Sequence, residues 1–165
     1  MKKLIPIILL LAFAVGGFFG WKAYNSDERR ITRKLQALPE LLTWNPRDGN
    51  IVRLGRANNL KEMLAQNITI EVNVGRGEVR GIEGRQEVYQ ALLAAQSSGM
   101  ALKVEIPAIK ATVTSTEAAS AELTTFLYVG NDNREPFLQE LAMELVKVEG
   151  EWLISKVRTI RTLSN

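Results

Sequence analysis

A chain of 165 residues, 46% hydrophobic and 24% charged, is long enough for one domain with its own core plus an accessory segment. It has neither cysteine nor histidine, which excludes disulfides, thiolate nucleophiles, histidine acid–base catalysis and the usual zinc ligand sets. Two of its 21 basic side chains, Lys2 and Lys3, precede the first hydrophobic segment, so the rest nearly balances its 18 acidic ones and offers no nucleic-acid-binding face.

Residues 4–21 carry no charge and as a helix would span about 27 Å, close to the hydrocarbon thickness of a bilayer. Their Leu, Ile, Val and Phe side chains each favour insertion by roughly 0.3 to 0.6 kcal/mol near the membrane centre. The expected organisation is an uncleaved transmembrane anchor in residues 1–25, with Trp21, Lys22 and Tyr24 at the interface, followed by one domain in residues 26–165. A cleaved signal peptide is the alternative: Met1-Lys2-Lys3 gives a basic start, and Ala12-Phe13-Ala14 fits the cleavage pattern but leaves a short hydrophobic core. A short basic N-terminus before a first span stays cytoplasmic, which puts the domain outside the cytoplasm, on the periplasmic side of the inner membrane if the protein is bacterial. Ala12, Gly16 and Gly20 share one helix stripe and would let a second helix approach, although small residues are common in membrane helices anyway.

Ser26 and Asp27 suit a helix N-cap, and Ile31, Leu35, Leu38 and Leu42 form the stripe of a first helix, with Pro39 bending it or ending it early. After the turn-rich run 45–50, a second helix uses Leu54, Ala57, Leu60 and Leu64 and ends near Gln66 and Asn67. Residues 68–74 alternate between apolar and polar, the period of a half-buried strand. Gly75, Gly77, Gly81 and Gly84 interrupt the next stretch of chain, and Val88, Ala91, Leu92 and Ala95 mark a third helix stopping before Gly99. Four strands in a meander complete the chain, with Glu149-Gly150 as a two-residue hairpin turn. Leu102, Val104 and Ile106 share one parity and Ile109, Ala111 and Val113 the other, so one buried face requires a β-bulge near Pro107 and Ala108.

The passage from helix to strand between Leu60 and Val74, the opening Gly84-Arg85-Gln86-Glu87-Val88 of the third helix and the closing pattern from Leu145 through Gly150 and Trp152 to Ile154 together resemble the nuclear transport factor 2-like superfamily, particularly its SnoaL-like members. The resemblance covers nearly all of residues 27–163. It implies an α+β fold in which three N-terminal helices pack on a curved, mainly antiparallel sheet, the cystatin-like cone, here preceded by one transmembrane helix. It also implies an apolar pocket inside the cone and, in many members, dimerisation through the outer sheet face. It does not imply one chemistry, since the superfamily holds enzymes and non-catalytic modules alike.

Catalytic members place a carboxylate inside the cone, whereas Glu71, Glu105, Glu140 and Glu144 fall on the parity opposite the main apolar register and are expected to face outward. No catalytic residue, metal ligand or cofactor is therefore expected. The inward positions are Ile68, Ile70, Val72, Leu123, Leu127, Leu141, Met143 and Leu145. Among them Thr125 and Gln139, with Tyr89 on the third helix, are candidates to orient a small apolar ligand, or else polar groups satisfied within the core. Arg76, Arg80 and Arg85 between glycines are either a solvated loop or an anion contact. Phe126, Tyr128, Leu138, Ala142 and Val146 make the opposite parity less polar than a water-facing sheet requires, which marks a protein interface unless another part of the chain, such as the C-terminal tail, covers it. The leading reading is a membrane-anchored, non-catalytic extracytoplasmic module that self-associates or joins an envelope protein partner, as membrane-anchored periplasmic subunits of secretion systems do. The alternative is a pocket protein for a small apolar ligand, or a SnoaL-like enzyme.

Overall fold

The computed structural model describes residues 26–73, 79–130 and 135–163. The hydrophobic segment 4–21, with Ala12, Gly16 and Gly20, lies outside these residues, as does Arg76. Among the described residues no helix is long and apolar enough to cross a membrane.

Helix α1 (Asp27–Leu35) buries Ile31 and Leu35 completely. A short second helix, α2 (Leu38–Leu42), comes next, with Pro39 in its first turn where no N–H is needed. The restart changes the helical phase. Leu41 is therefore buried, and the expected Leu42 packs at the edge. Helix α3 (Asn50–Met63) buries Ala57, Leu60 and Met63 but leaves Leu54 45% exposed, so the expected stripe overreaches by one turn at its start. It also ends earlier than the sequence predicts. Leu64 already has extended backbone and opens strand β1 (Leu64–Asn73).

A strand that the sequence pattern does not announce, β2 (Val79–Glu83), pairs antiparallel with β1 from Thr69↔Glu83 to Asn73↔Val79. Helix α4 (Arg85–Gln96) then buries Val88, Leu92 and Gln96. Strands β3 (Leu102–Val113), β4 (Ala118–Val129), β5 (Phe137–Val148) and β6 (Glu151–Leu163) form the expected meander. The six-stranded sheet has the order β2-β1-β6-β5-β4-β3, with β1 parallel to β6 and every other pair antiparallel.

The register of β3 against β4 slips between Glu105↔Phe126 and Ala108↔Thr124, which places the expected bulge at Ile106 and Pro107. Two further irregularities interrupt β5 against β6, after Glu140 and after Glu144. Bulges add local twist, and three of them along one meander bend the sheet around the helices. Glu149 and Gly150 both have positive φ, 52° and 85°, as a two-residue hairpin with the twist of its strands requires. The core lies in the concavity, where α1, α2, α3 and α4 pack through residues such as Ile31, Leu38, Leu60 and Leu92 and the sheet supplies Ile68, Leu123, Leu145, Trp152 and Ile154.

Candidate functional site

The concave face arises from strand alternation. On β4, Ala119, Ala121, Leu123 and Thr125 are buried; on β5, Met143 and Leu145 are buried and Leu141 packs against them. Thr125 and Gln139 are register partners, and the structure brings these two candidates together. The Thr125 hydroxyl donates to the Gln139 carbonyl at 3.0 Å, and the Gln139 side-chain amide reaches past β6 to donate to the Asn73 carbonyl at 2.8 Å. Thr159 on the intervening β6 accepts from the Asn73 N–H at 3.0 Å. These side chains therefore stitch β4, β5, β6 and β1 together, and the Thr125 hydroxyl, the Gln139 amide nitrogen and the Thr159 hydroxyl are each bonded to the protein's own backbone. Tyr89 is half-buried against the core, its ring 5.1 Å from the Lys61 ammonium, which in turn donates to Gln86.

Gln96 is a polar residue that the sequence pattern does not single out. It ends α4, is fully buried, and neither its amide nitrogen nor its carbonyl oxygen has a partner within the protein. An orphaned amide of this kind costs about 1 to 3 kcal/mol unless a water or ligand satisfies it. Its helical spacing from Val88 and Leu92, at intervals of four, is the signal that could have found it.

The strand carboxylates point away from the concavity. Glu71 lies 3.7 Å from Lys156, and Glu144 is exposed. Glu105 sits 2.7 Å from Lys103 with the Tyr128 hydroxyl at 3.4 Å, and the Lys103 hydrogen bond holds its carboxyl below the ordinary value. Among the described residues no cluster of three or more acidic side chains offers a metal site.

The outer face carries Phe126, Tyr128, Leu138, Ala142 and Val146, all half-buried. Phe126 pairs with Leu138, Val146 with Leu153, and Ala142 sits between Glu122 and Arg158. Charges of both signs frame this apolar row: Glu122, Glu140 and Glu144 alternate with it, while Lys103, Lys110 and Arg158 flank it. The helices pack on the opposite face, and the last described residues, to Leu163, form β6 within the sheet and not a cover over it.

At the end of the sheet where β5 turns into β6, α1 is held by charge. Lys147 bonds Asp27 at 2.9 Å and lies 5.2 Å from the Trp152 ring; Lys34 donates to the Trp152 carbonyl at 2.6 Å. The Lys147 ammonium holds the Asp27 carboxyl below its ordinary value. At the other end, Asp48 pairs with Arg56 and accepts from the Asn45 N–H, and that backbone bond and the guanidinium lower its pKa.

No protein-family model matches this chain, and no curated protein matches it. Solved structures do. A nuclear transport factor 2-like protein of unknown function from Pseudomonas putida KT2440 superposes with a TM-score of 0.61 at 10% identity, covering 80% of this chain and 84% of that one. An uncharacterized protein with a cystatin-like fold from Caulobacter vibrioides gives 0.62 at 16% identity, covering 84% and 92%. A proposed dehydratase of the nuclear transport factor 2-like family from Streptomyces avermitilis gives 0.62 at 13% identity, covering 84% and 97%. At such identities the likeness is one of fold, and the fold of this chain is the cystatin-like cone of nuclear transport factor 2-like proteins.

Proposed function

We propose that this chain is a membrane-anchored, extracytoplasmic assembly module whose domain pairs with a second copy through the outer face of its sheet. The observation that carries this reading is that face: a row of half-buried apolar side chains framed by carboxylates and cations, with the described helices on the other side. A two-fold interface must be complementary to itself, and a patch bearing both charge signs around an apolar row meets that condition. The anchor and its orientation rest on residues 4–21 and the basic residues before them.

Chemical cross-linking of the full chain in native membranes tests the pairing. The parent is expected to cross-link as a dimer, and Phe126→Glu with Val146→Glu to lose most of that product; equal yields would end the proposal. Orientation is open to a clean assay because the chain has no cysteine. Thr116→Cys, at the exposed turn between β3 and β4, is expected to react with a membrane-impermeant maleimide applied outside the cytoplasmic membrane, and protection there would reverse the topology.

A second reading, a small-ligand pocket or enzyme, is favoured by one observation, the orphaned amide of Gln96 inside the cone. Neighbours of the same fold include proposed dehydratases. If Gln96 orients a ligand, Gln96→Leu is expected to strip co-purifying small molecules from the protein. A gain of about 1 kcal/mol in stability with nothing released would identify the amide as a structural cost alone.

A further inference from the structure

Charge is not spread evenly over the outer face of the sheet. On β5, Glu144 is exposed, and its register partner on β6 is Lys156; in the next outward row Val146 stands beside Leu153, both half-buried. In the row on the other side, Ala142 lies between the exposed Glu122 on β4 and the exposed Arg158 on β6. Strands β4 and β5 therefore present carboxylates here, and β6 presents cations. Lys156 also lies 3.7 Å from Glu71, longer than a hydrogen bond, and an ammonium with three donors can meet a second carboxylate.

Two copies that pack sheet on sheet are related by a two-fold axis lying between the sheets, and its position decides which side chains meet. An axis along β5 would stack Glu140 and Glu144 each on its own counterpart. An axis across the strands at Ala142 would set Glu140 over Glu144, and one between β4 and β5 would set Lys110 over Arg158. Like charges so placed repel. An axis running between β5 and β6 exchanges those two strands, so each register pair within one copy becomes a pair between copies. Glu144 then meets the partner's Lys156, and Val146 meets the partner's Leu153. The partner's Arg158 lies over Ala142, whose small side chain leaves room for the guanidinium to reach Glu122 beside it. Glu122 also approaches the partner's Glu71, but Arg158 is the register neighbour of Glu71 and lies between the two carboxylates. Aligned sheets cross at only about 30°, so rows this close to the axis keep their opposition. We propose that two copies of this chain pair about an axis between β5 and β6, with Glu144 of each copy against Lys156 of the other. This arrangement rests on the self-pairing proposed above and specifies it.

Complementation between two single variants tests it, with dimer fraction read by native mass spectrometry of the full chain released from neutral detergent and one form carrying an affinity tag that separates the masses. Glu144→Lys opposes cations across its own dimer and Lys156→Glu opposes carboxylates, so each is expected to self-pair about tenfold more weakly than the parent. Mixed together, the two variants meet opposite charges at both positions, and their heterodimer is expected to form as well as the parent dimer. Positions 144 and 156 keep like charges within each single variant, so recovery on mixing cannot come from repaired folding. Glu144→Lys with Lys156→Glu in one chain is expected to pair with itself like the parent. Single variants that pair like the parent, a mixture no more paired than its components, or a double variant that stays monomeric each overturn the axis. A parent that does not pair, even by cross-linking in native membranes, sinks the self-pairing reading itself, whereas a parent that pairs while complementation fails sinks this arrangement alone.

Discussion

The concave and outer faces of the sheet are built from the same strands by alternate residues, yet they dispose of their polar groups in opposite ways. Inside, Thr125 and Gln139 spend their hydrogen bonds on backbone carbonyls of β5 and β1, and their neighbours Leu123, Met143 and Leu145 are buried. Outside, Phe126, Leu138, Ala142 and Val146 are only half covered, and Glu122 and Glu144 beside them meet solvent. The strand side chains of the concavity, with their bonds made internally, have little left to offer a partner, and the orphaned amide of Gln96 stands on the helix side. The outer face still has its apolar row half covered and carboxylates such as Glu122 and Glu144 exposed, which is why the two call for different tests.

The largest expected effect is on the concave side. Leu145→Ala empties a position that is 1% exposed and is expected to cost about 3 kcal/mol, read by denaturant unfolding, with the cross-linking of the surviving folded fraction unchanged. A matching loss from truncating half-exposed Val146 would erase the distinction between the faces. A smaller effect is expected where α1 docks at the sheet's end. Asp27→Asn breaks the bond to Lys147 and should cost up to about 1 kcal/mol at pH 7, since the pair is partly screened by solvent. The folded carboxyl is held below its ordinary value of 3.8, so its contribution is complete above that value and disappears as the pH falls through the lower folded one. Parent and variant should therefore unfold alike only in strong acid, and a difference that instead faded between pH 7 and pH 5 would point to another group. The smallest effect belongs to the outer face: Glu105→Gln should shift the thermal midpoint little, and by the same amount at pH 7 and pH 5, because the carboxyl, held below its ordinary value of 4.5 by Lys103, stays ionised across that range and the pair is open to solvent.

Much of this contrast was legible in the sequence because it is local. Alternation over residues 68–74, the parity change across Pro107 and the Glu149-Gly150 turn each set a structure within a few residues; the bulge and the turn lie where expected, and the strand covers residues 68–73 but begins earlier, at Leu64. Strand β2 was not legible, because its five residues hold only two apolar side chains, both close to glycines, and take their shape from pairing with β1. Leu64 fits a helical stripe and a strand equally well, and only the neighbouring Ile154 on β6 decides between them. Leu54 shows the converse, a residue with the right period and little packed over it. The site residues divide in the same way: Thr125 and Gln139 announce themselves as polar interruptions of an apolar face, whereas the Asp27–Lys147 contact joins residues 120 positions apart and leaves no mark on either stretch of sequence. Gln96 looks like any helix-end glutamine until the fold encloses it.

The parallel pairing of β1 with β6 also bears on how the chain is made. Leu64 needs Ile154 beside it, and Glu71 needs Arg158, so one edge of the first strand to emerge from the ribosome waits for the last. At ordinary rates of synthesis that wait is on the order of ten seconds. During it, the hairpin of β1 and β2 can form while its other edge stays open to the wrong neighbour. Closure of the half-cone is thus a late, long-range event, of the kind that makes folding slow and gives a chaperone at the exit site something to hold.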